Sequence, residues 1–206
     1  MDAKDWDDRY DRTDLMWSLG PNQWIEEVTA ELPPGRALDL AAGEGRNAIW
    51  LAGRGWHATA LDFSAVALER AERIAAERLG EGSSRFSTRC EDLGTYTPDP
   101  RSYDLVIVVY LQVATPLRSR ILRAAAEAVA PGGTLVVTAH DTENAQHGYG
   151  GPPDVSVLYS AGDVTADVDG SGLAVTRAEQ VVRQVATPDG ERQALDCLVV
   201  ATRPIS

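Results

Sequence analysis

Residues Arg36 to Asp62 read RALDLAAGEGRNAIWLAGRGWHATALD, and this stretch decides the fold of the chain. It predicts a short strand, a turn of small residues, a helix and a second strand. The strand Ala37 to Leu40 is apolar apart from one carboxylate, as in strands that are buried on both faces. The glycines of the turn let the backbone run close to a ligand, because glycine has no Cβ. The order of these elements predicts a βαβ unit whose turn and helix N-terminus face a ligand.

Two carboxylates mark the ends of the two strands, Asp39 in the first and Asp62 after the second. Ligands of open α/β sheets bind outside the carboxyl ends of the strands, so we expect both carboxylates and the turn to face one crevice. In nucleoside-binding units an acidic residue about 20 positions beyond the glycine turn binds the ribose hydroxyl groups. Asp62 stands at that distance, and a carboxylate can accept two hydrogen bonds from a vicinal diol.

Two cofactors are compatible with the turn. A dinucleotide site prefers Gly-x-Gly-x-x-Gly or its alanine form, and Gly43, Gly45 and Ala48 fit that pattern, so NAD is not excluded by the turn alone. Asp39 lies before the turn and inside the expected site, where it disfavours a pyrophosphate and favours a cationic group. S-adenosylmethionine carries an ammonium and a sulfonium group, and it is therefore the favoured cofactor.

The residues LDLAAGEGRN, 38–47, resemble the first motif of the class I S-adenosylmethionine-dependent methyltransferases. They depart from it at Ala41, where the family usually has its first glycine. The resemblance extends over nearly the whole chain and is nearest to the small bacterial methyltransferases grouped with the tellurite-resistance type. It implies a cofactor site that includes Asp39, Ala41, Gly43, Gly45, Asn47 and Asp62.

Three further positions extend this cofactor site. Phe63 is expected against the adenine ring, with packing in the core as the alternative. Asp92 follows a third predicted strand, residues 84–90, and the resemblance assigns it to the adenine amino group; a turn aspartate that caps its own loop is the alternative. Leu93 would offer its backbone amide or its side chain to the base.

The acceptor is expected at the ends of the fourth and fifth strands. Tyr110 ends the strongest predicted strand, 103–110, and with Gln112 it should lie near the transferable methyl group; for Tyr110, simple packing is the alternative. His140 is the histidine at the carboxyl end of a strand, so it is the candidate general base, and a hydrogen bond that fixes the following loop is its alternative role. Asp141 and Tyr149, in or beside the loop 142–157, are candidate acceptor contacts.

The N-terminal head, residues 1–35, has two interpretations. The family resemblance implies a helical lid, in which Tyr10 and Trp17 contact the substrate. Alternatively, its helices only pack their aromatic side chains on the domain. The spacing of apolar residues predicts one helix over 23–32.

The C-terminal pattern decides between the two nucleoside-binding folds. Residues 173–186 and 191–202 predict two strands joined by the turn Thr187 to Gly190, so they must be antiparallel. A parallel sheet that ends in an antiparallel hairpin is the topology of the family resembled. We therefore expect a Rossmann-like three-layer α/β/α sandwich with a seven-stranded, mostly parallel sheet and an antiparallel C-terminal strand. One domain, 1–206, would comprise the lid, 1–35, and the core, 36–206.

Composition limits the partners. The 206 residues include 31 acidic and 19 basic ones, and the net charge of −12 disfavours binding to nucleic acid. The N-terminus is acidic and polar, unlike a secretory signal, and the longest apolar run, 105–114, is shorter than the about 20 residues of a membrane span. Two cysteines and three scattered histidines have no metal spacing. We expect a cytoplasmic monomer or homodimer without a metal.

The leading hypothesis is a methyltransferase that converts S-adenosylmethionine to S-adenosylhomocysteine while methylating a small molecule. The acceptor atom stays open among thiol, chalcogen, phenol and amine groups. The alternatives are an NAD(P)-dependent oxidoreductase and a module that binds S-adenosylmethionine without catalysis.

Overall fold

One seven-stranded sheet with helices on both faces forms the described part of the chain. The computed structural model describes residues 20–205. The strands are β1 (Arg36–Leu40), β2 (His57–Asp62), β3 (Phe86–Cys90), β4 (Tyr103–Val109), β5 (Val129–His140), β6 (Ala174–Thr187) and β7 (Gly190–Thr202). The helices are α1 (Gln23–Thr29), α2 (Arg46–Gly53), α3 (Ala65–Leu79), α4 (Thr115–Ala128), α5 (Asn144–His147) and α6 (Ala161–Val168).

The strand order β3-β2-β1-β4-β5-β7-β6 confirms the predicted fold class. The strands β1 to β5 pair in parallel with their neighbours, and β7 pairs antiparallel with both β5 and β6. The order reverses between β1 and β4, because β1 is followed along the chain by β2 on one side while β4 lies on the other. This switch point is where open α/β sheets bind their ligands.

Two hydrophobic cores lie on the two faces of the sheet. Side chains of α4 and α6, such as Leu122 and Val164, pack on one face, where β1 contributes Leu38 and Leu40. Helices α1, α2 and α3 pack on the other face, to which β1 contributes Ala37. Since side chains alternate along a strand, Asp39 points to the same face as Ala37, beneath the N-terminus of α2.

The described part of the head, residues 20–35, contains helix α1, and the lid interpretation stays a prediction. Helix α1 ends at Thr29, three residues before the predicted end, and buries Trp24 and Ile25 in the core beneath it. Tyr10 and Trp17 lie outside the described residues.

Two other boundaries differ from prediction. From sequence alone, Pro131 to Gly133 have the composition of a turn and predict a break between a helix that reaches about 130 and a strand over 134–139, but β5 already begins at Val129. A register shift between Tyr103 and Leu105 of β4 accommodates the extra residues, so the break falls inside the strand. The 142–157 loop contains the short helix α5 and a 3-10 turn over Val155–Val157.

No helix within residues 20–205 is both long and apolar enough to cross a bilayer.

Candidate functional site

The turn between β1 and α2 runs through left-handed backbone conformations. The φ angles of Ala41, Gly43 and Gly45 are 59°, 54° and 71°. A Cβ on Gly45 would also lie 3.0 Å from the Cβ of Ala71 in α3, so this glycine permits both the turn and the helix packing. Ala41 carries a side chain in a conformation that costs L-residues about 1 kcal/mol, which explains why the family resembled usually has glycine there.

Asp62 joins the end of β2 to this turn. Its Oδ2 accepts the backbone N–H of Gly43 at 2.8 Å, and its Oδ1 accepts that of Ser64 at 2.9 Å. The side chain is buried. Because each carboxylate oxygen can accept more than one hydrogen bond, a diol can still be bound at the carboxylate.

Asp39 is a buried carboxylate next to the same turn. Neither of its oxygens has a hydrogen-bond partner of good geometry among residues 20–205. Its pKa is raised from 3.8 to about 7 in total: burial is the largest cause, the Ala48 N–H and the Arg46 guanidinium lower the pKa, and the neighbouring charge of Asp62 adds to the increase. A buried polar group without a partner is costly, so this carboxylate has the environment of a site for a cationic ligand group.

Asn47 connects the turn to the preceding segment. Its Oδ1 accepts the N–H of Asn22 at 2.8 Å, and Asn22 in turn caps α1 by accepting the N–H of Trp24 at 2.9 Å. Both asparagines are buried. The predicted cofactor role of Asn47 stays a prediction, and its described contact holds α1 against the start of α2.

The end of β3 forms a tight turn. Asp92 is exposed, and its Oδ1 accepts the N–H of Gly94 at 2.6 Å. This is the turn-capping contact that was the alternative to an adenine contact. Leu93 is buried in the core and its carbonyl accepts a hydrogen bond from Arg120. Phe63 is half-buried and belongs to none of the described hydrophobic clusters.

Tyr110 and His140, which follow β4 and end β5, lie side by side. Their ring centroids are 4.9 Å apart with the planes tilted by 34°. Tyr110 has a φ of 55°, a strained value of the kind that clusters at functional sites. Its hydroxyl donates to Oδ2 of Asp196 at 2.8 Å, and burial together with the charge of Asp196 raises the pKa of the phenol.

Asp196 is the residue that sequence reasoning missed. It lies on β7 directly opposite His140 on β5 and is fully buried. Its Oδ2 also accepts Nε of Arg183 at 2.7 Å. Burial raises the pKa of this carboxyl, but the hydrogen bonds from His140, Arg183 and Tyr110 outweigh burial and hold it below its usual value. The signal in the sequence was a carboxylate inside LDCLVVA, residues 195–201, a strand that is apolar on both faces.

The remaining predicted acceptor residues lie in different environments. Gln112 is half-buried, and its Nε2 is buried without a partner among the described residues. Asp141 is buried and accepts hydrogen bonds from Gln180 and from the Glu143 N–H, both at 3.0 Å, so it ties the loop to β6. Tyr149 is 46% exposed.

The loop after β5 lies against the His140 ring. A Cβ on Gly151 would approach the ring to 3.3 Å, and Asn144 holds the loop in place by donating to the Gly150 carbonyl and accepting the N–H of Leu195. The carboxyl edge of the sheet therefore brings together Asp39, Asp62, Tyr110, Gln112 and His140.

Comparisons with known proteins identify methyltransferases as similar to this chain. Residues 37–133 match the family described as a methyltransferase domain. Demethylmenaquinone methyltransferase from Clavibacter sepedonicus is 33% identical over 141 residues, which cover 65% of this chain and 54% of that protein. The 2-heptyl-1-hydroxyquinolin-4(1H)-one methyltransferase from Mycobacteroides abscessus is 27% identical over 146 residues, covering 68% and 62% respectively. The chain thus matches less than two thirds of the length of these two relatives.

Solved structures share the fold at low sequence identity. TehB from Haemophilus influenzae superposes with a TM-score of 0.70 and 16% identity, covering 88% of this chain and 62% of that one. Magnesium protoporphyrin IX methyltransferase from Synechocystis PCC 6803, with bound S-adenosylhomocysteine, has a TM-score of 0.67 and 18% identity, covering 88% and 82%. These structures show that the chain shares the fold of methyltransferases, and the match of residues 37–133 agrees with the predicted resemblance.

Proposed function

We propose that this chain, a class I methyltransferase by its fold and by the family match of residues 37–133, transfers the methyl group of S-adenosylmethionine to a small-molecule nucleophile. The observation that carries the proposal is the buried carboxylate of Asp39, which has no hydrogen-bond partner of good geometry among residues 20–205 and lies beside the turn that Asp62 holds in place.

The described residues fit this cofactor group by group. The ammonium group of S-adenosylmethionine would give Asp39 a hydrogen-bonded cationic partner, in addition to the nearby charge of Arg46. Asp62 would accept hydrogen bonds from the ribose hydroxyls, and the small residues of the turn would allow close approach of the backbone. Phe63 would contact the adenine ring, and Asp92 and Leu93 would contact its edge, as predicted from the resemblance. The bound cofactor supplies an activated methyl group, so the protein chiefly has to position the acceptor and exclude water.

The acceptor is proposed to bind between the ends of β4 and β5. Tyr110 and His140 offer aromatic surface there, and Gln112 offers a buried donor without a partner among the described residues. The two curated relatives are named for demethylmenaquinone and a hydroxyquinolinone, which supports a small molecule as the acceptor. Asp141, Tyr149, Tyr10 and Trp17 stay predicted acceptor contacts. A cytoplasmic monomer or homodimer without a nucleic-acid partner fits the acidic net charge of −12.

Ligand-dependent unfolding tests this proposal. S-adenosylhomocysteine should raise the melting temperature of the purified chain, because a ligand that binds the folded state stabilises it, and NAD⁺ should leave it unchanged. A higher melting temperature with NAD⁺ but not with S-adenosylhomocysteine would indicate an oxidoreductase. A panel of thiols, phenols, amines and chalcogen oxyanions, assayed for release of S-adenosylhomocysteine, then tests turnover. Binding without release from any acceptor would indicate the non-catalytic module.

A further inference from the structure

Asp196 holds side chains from three different strands at the acceptor end of the site. We call Asp196, His140, Tyr110 and Arg183 the Asp196 cluster. Tyr110 and Arg183 both donate to Oδ2, at 2.8 and 2.7 Å. Nδ1 of His140 lies 3.3 Å from the other oxygen, Oδ1. Arg183 also donates from Nη2 to Oδ1, at 3.4 Å, so His140 and Arg183 share that oxygen, whereas the two shorter bonds both go to Oδ2.

The position of Nδ1 determines where His140 carries its proton. Nδ1 is buried, and it forms no hydrogen bond of good geometry with residues 20–205. Oδ1 of Asp196 nevertheless lies close to it, at 3.3 Å. A lone pair on Nδ1 would face a carboxylate lone pair, whereas an N–H would point its positive end at the anion. Nδ1 is therefore the protonated nitrogen of the neutral ring. Nε2 is then the basic nitrogen, and it has no hydrogen-bond partner among residues 20–205, in a side chain that is 14% exposed.

We propose that Asp196 is a positioning residue that fixes the proton of His140 on Nδ1, so that Nε2 removes a proton from the acceptor, and that the acceptor is a neutral hydroxyl group on an aromatic ring. This inference rests on the proposed function. It names a residue that sequence reasoning did not select, and it narrows the acceptor to one chemical class.

The acceptor class follows from what a base can contribute. A chalcogen oxyanion is already ionised and gains nothing from a base. A phenol with a pKa of about 10 is ionised to only roughly 0.1% at pH 7, whereas a thiol with a pKa of about 8.5 is ionised to roughly 3%. A hydroxyl therefore gains the most from Nε2, and the neighbouring rings of Tyr110 and His140 provide a surface for an aromatic acceptor.

The step balances without any further reactant. The O–H bond breaks and its proton moves to Nε2, while the oxygen lone pair forms the new bond to the methyl carbon. The electron pair of the broken carbon–sulfur bond stays on sulfur, which becomes a neutral thioether. The imidazolium then returns the proton to solvent, with Asp196 stabilising its positive charge meanwhile.

The tautomer can be measured without knowing the acceptor. In ¹⁵N-histidine-labelled chain at pH 8.5, long-range ¹H–¹⁵N spectra should show His140 protonated on Nδ1, with its signals assigned by their loss in His140→Gln. In Asp196→Asn the amide oxygen should replace Oδ2, because Arg183 and Tyr110 both donate there. Its NH₂ group would then face Nδ1 and reverse the tautomer. A wild-type proton on Nε2 would overturn the inference, even if the variant failed to fold, and so would an unchanged tautomer in a folded variant.

Kinetics test the acceptor class. 1-Naphthol and 2-naphthol should be methylated by the wild-type chain. Both His140→Gln and Asp196→Asn should lower kcat by about 100-fold or more, and the dissociation constant of S-adenosylhomocysteine should change less than twofold. His57→Gln, at the opposite end of β2, is the matched control and should match the wild type. Turnover of thiols or oxyanions alone would overturn the inference, as would an equal rate in His140→Gln. Absence of cofactor binding would instead overturn the proposed function.

Discussion

Gly43 donates its backbone N–H to Oδ2 of Asp62 across 2.8 Å, so the turn after β1 and the end of β2 form one hydrogen-bonded unit. The residues are 19 positions apart and lie on either side of α2. A single carboxylate thus determines the shape of the turn and is also the proposed ribose contact.

Asp62→Asn should therefore weaken both stability and cofactor binding. Each oxygen of Asp62 accepts a backbone N–H, and the amide must turn its NH₂ group toward one of these donors. We expect a loss of about 1–3 kcal/mol in the free energy of unfolding and a 10-fold or larger increase in the dissociation constant of S-adenosylhomocysteine. Calorimetry and urea unfolding measure the two effects. Asp99→Asn, in an exposed loop, serves as the control, and unchanged affinity in Asp62→Asn would contradict the ribose assignment.

Asp39 should make the folded state less stable as the pH rises. The folded chain keeps this proton up to a pKa of about 7, whereas the ordinary carboxyl pKa of 3.8 applies after unfolding. Between these two pH values the folded state binds more protons than the unfolded state, so the free energy of unfolding falls, and it stays at the lower level above pH 7.

Asp39→Asn removes this dependence. The difference in unfolding free energy between variant and wild type should shift in favour of the variant by at most roughly 4 kcal/mol between pH 4 and pH 8. Urea unfolding of both chains across this range measures the shift. Parallel pH profiles for the two chains would show that Asp39 is ionised throughout.

Ala41→Gly should stabilise the chain, against the usual effect of glycine. The φ of 59° favours glycine, and relief of the strain, about 1 kcal/mol, should equal or exceed the entropy that glycine costs. The neighbouring Ala42→Gly is the matched control: this residue is also half-buried but is not among those with positive φ, so its variant should lose about 1 kcal/mol. Thermal unfolding compares the two. Equal losses of stability in Ala41→Gly and Ala42→Gly would indicate that the turn tolerates Ala41 without backbone strain.

Asp167→Ala should lower the free energy of unfolding, because Asp167 joins the two helices on the face of the sheet opposite Asp39. Arg118 of α4 donates to Asp167 of α6 at 2.7 Å, and both side chains are less than 10% exposed. Removal of the carboxylate leaves a buried guanidinium, at a cost of about 3–5 kcal/mol. Glu91→Ala breaks the exposed pair with Arg89 and should change the free energy of unfolding by less than about 1 kcal/mol. Similar losses of unfolding free energy in Asp167→Ala and Glu91→Ala would show that burial of the ion pair does not cause the destabilisation.

The cofactor half of the site was predictable because its residues are close along the chain. The pattern from Arg36 to Asp62 determines two strands, a turn and a helix, and parallel pairing of β1 with β2 brings Asp39 and Asp62 to one edge. Asn47 shows the limit of such local reasoning, since its partner Asn22 lies 25 positions earlier and is not indicated by the motif.

The acceptor half was less predictable because it depends on strand order and register. The sequence indicates an antiparallel hairpin, but it does not show that β7 rather than β6 lies beside β5. Only that order places Asp196 opposite His140. The β5 boundary was wrong for a similar reason: Pro131 to Gly133 have the composition of a loop, and the pairing of Val129 with Tyr103 across the sheet overrides that local preference.

The placement of β7 between β5 and β6 also bears on how the protein is assembled. A nascent chain emerging from the ribosome presents β1 to β4, and with them the proposed nucleoside-binding residues, well before β7 has been synthesised. The partner carboxylate of His140 arrives only when that strand inserts into the interior of the sheet. In the proposed mechanism, the residues that bind the donor would thus be present earlier in biosynthesis than the Asp196–His140 contact, and the same carboxylate also joins Tyr110 across 86 positions of the sequence.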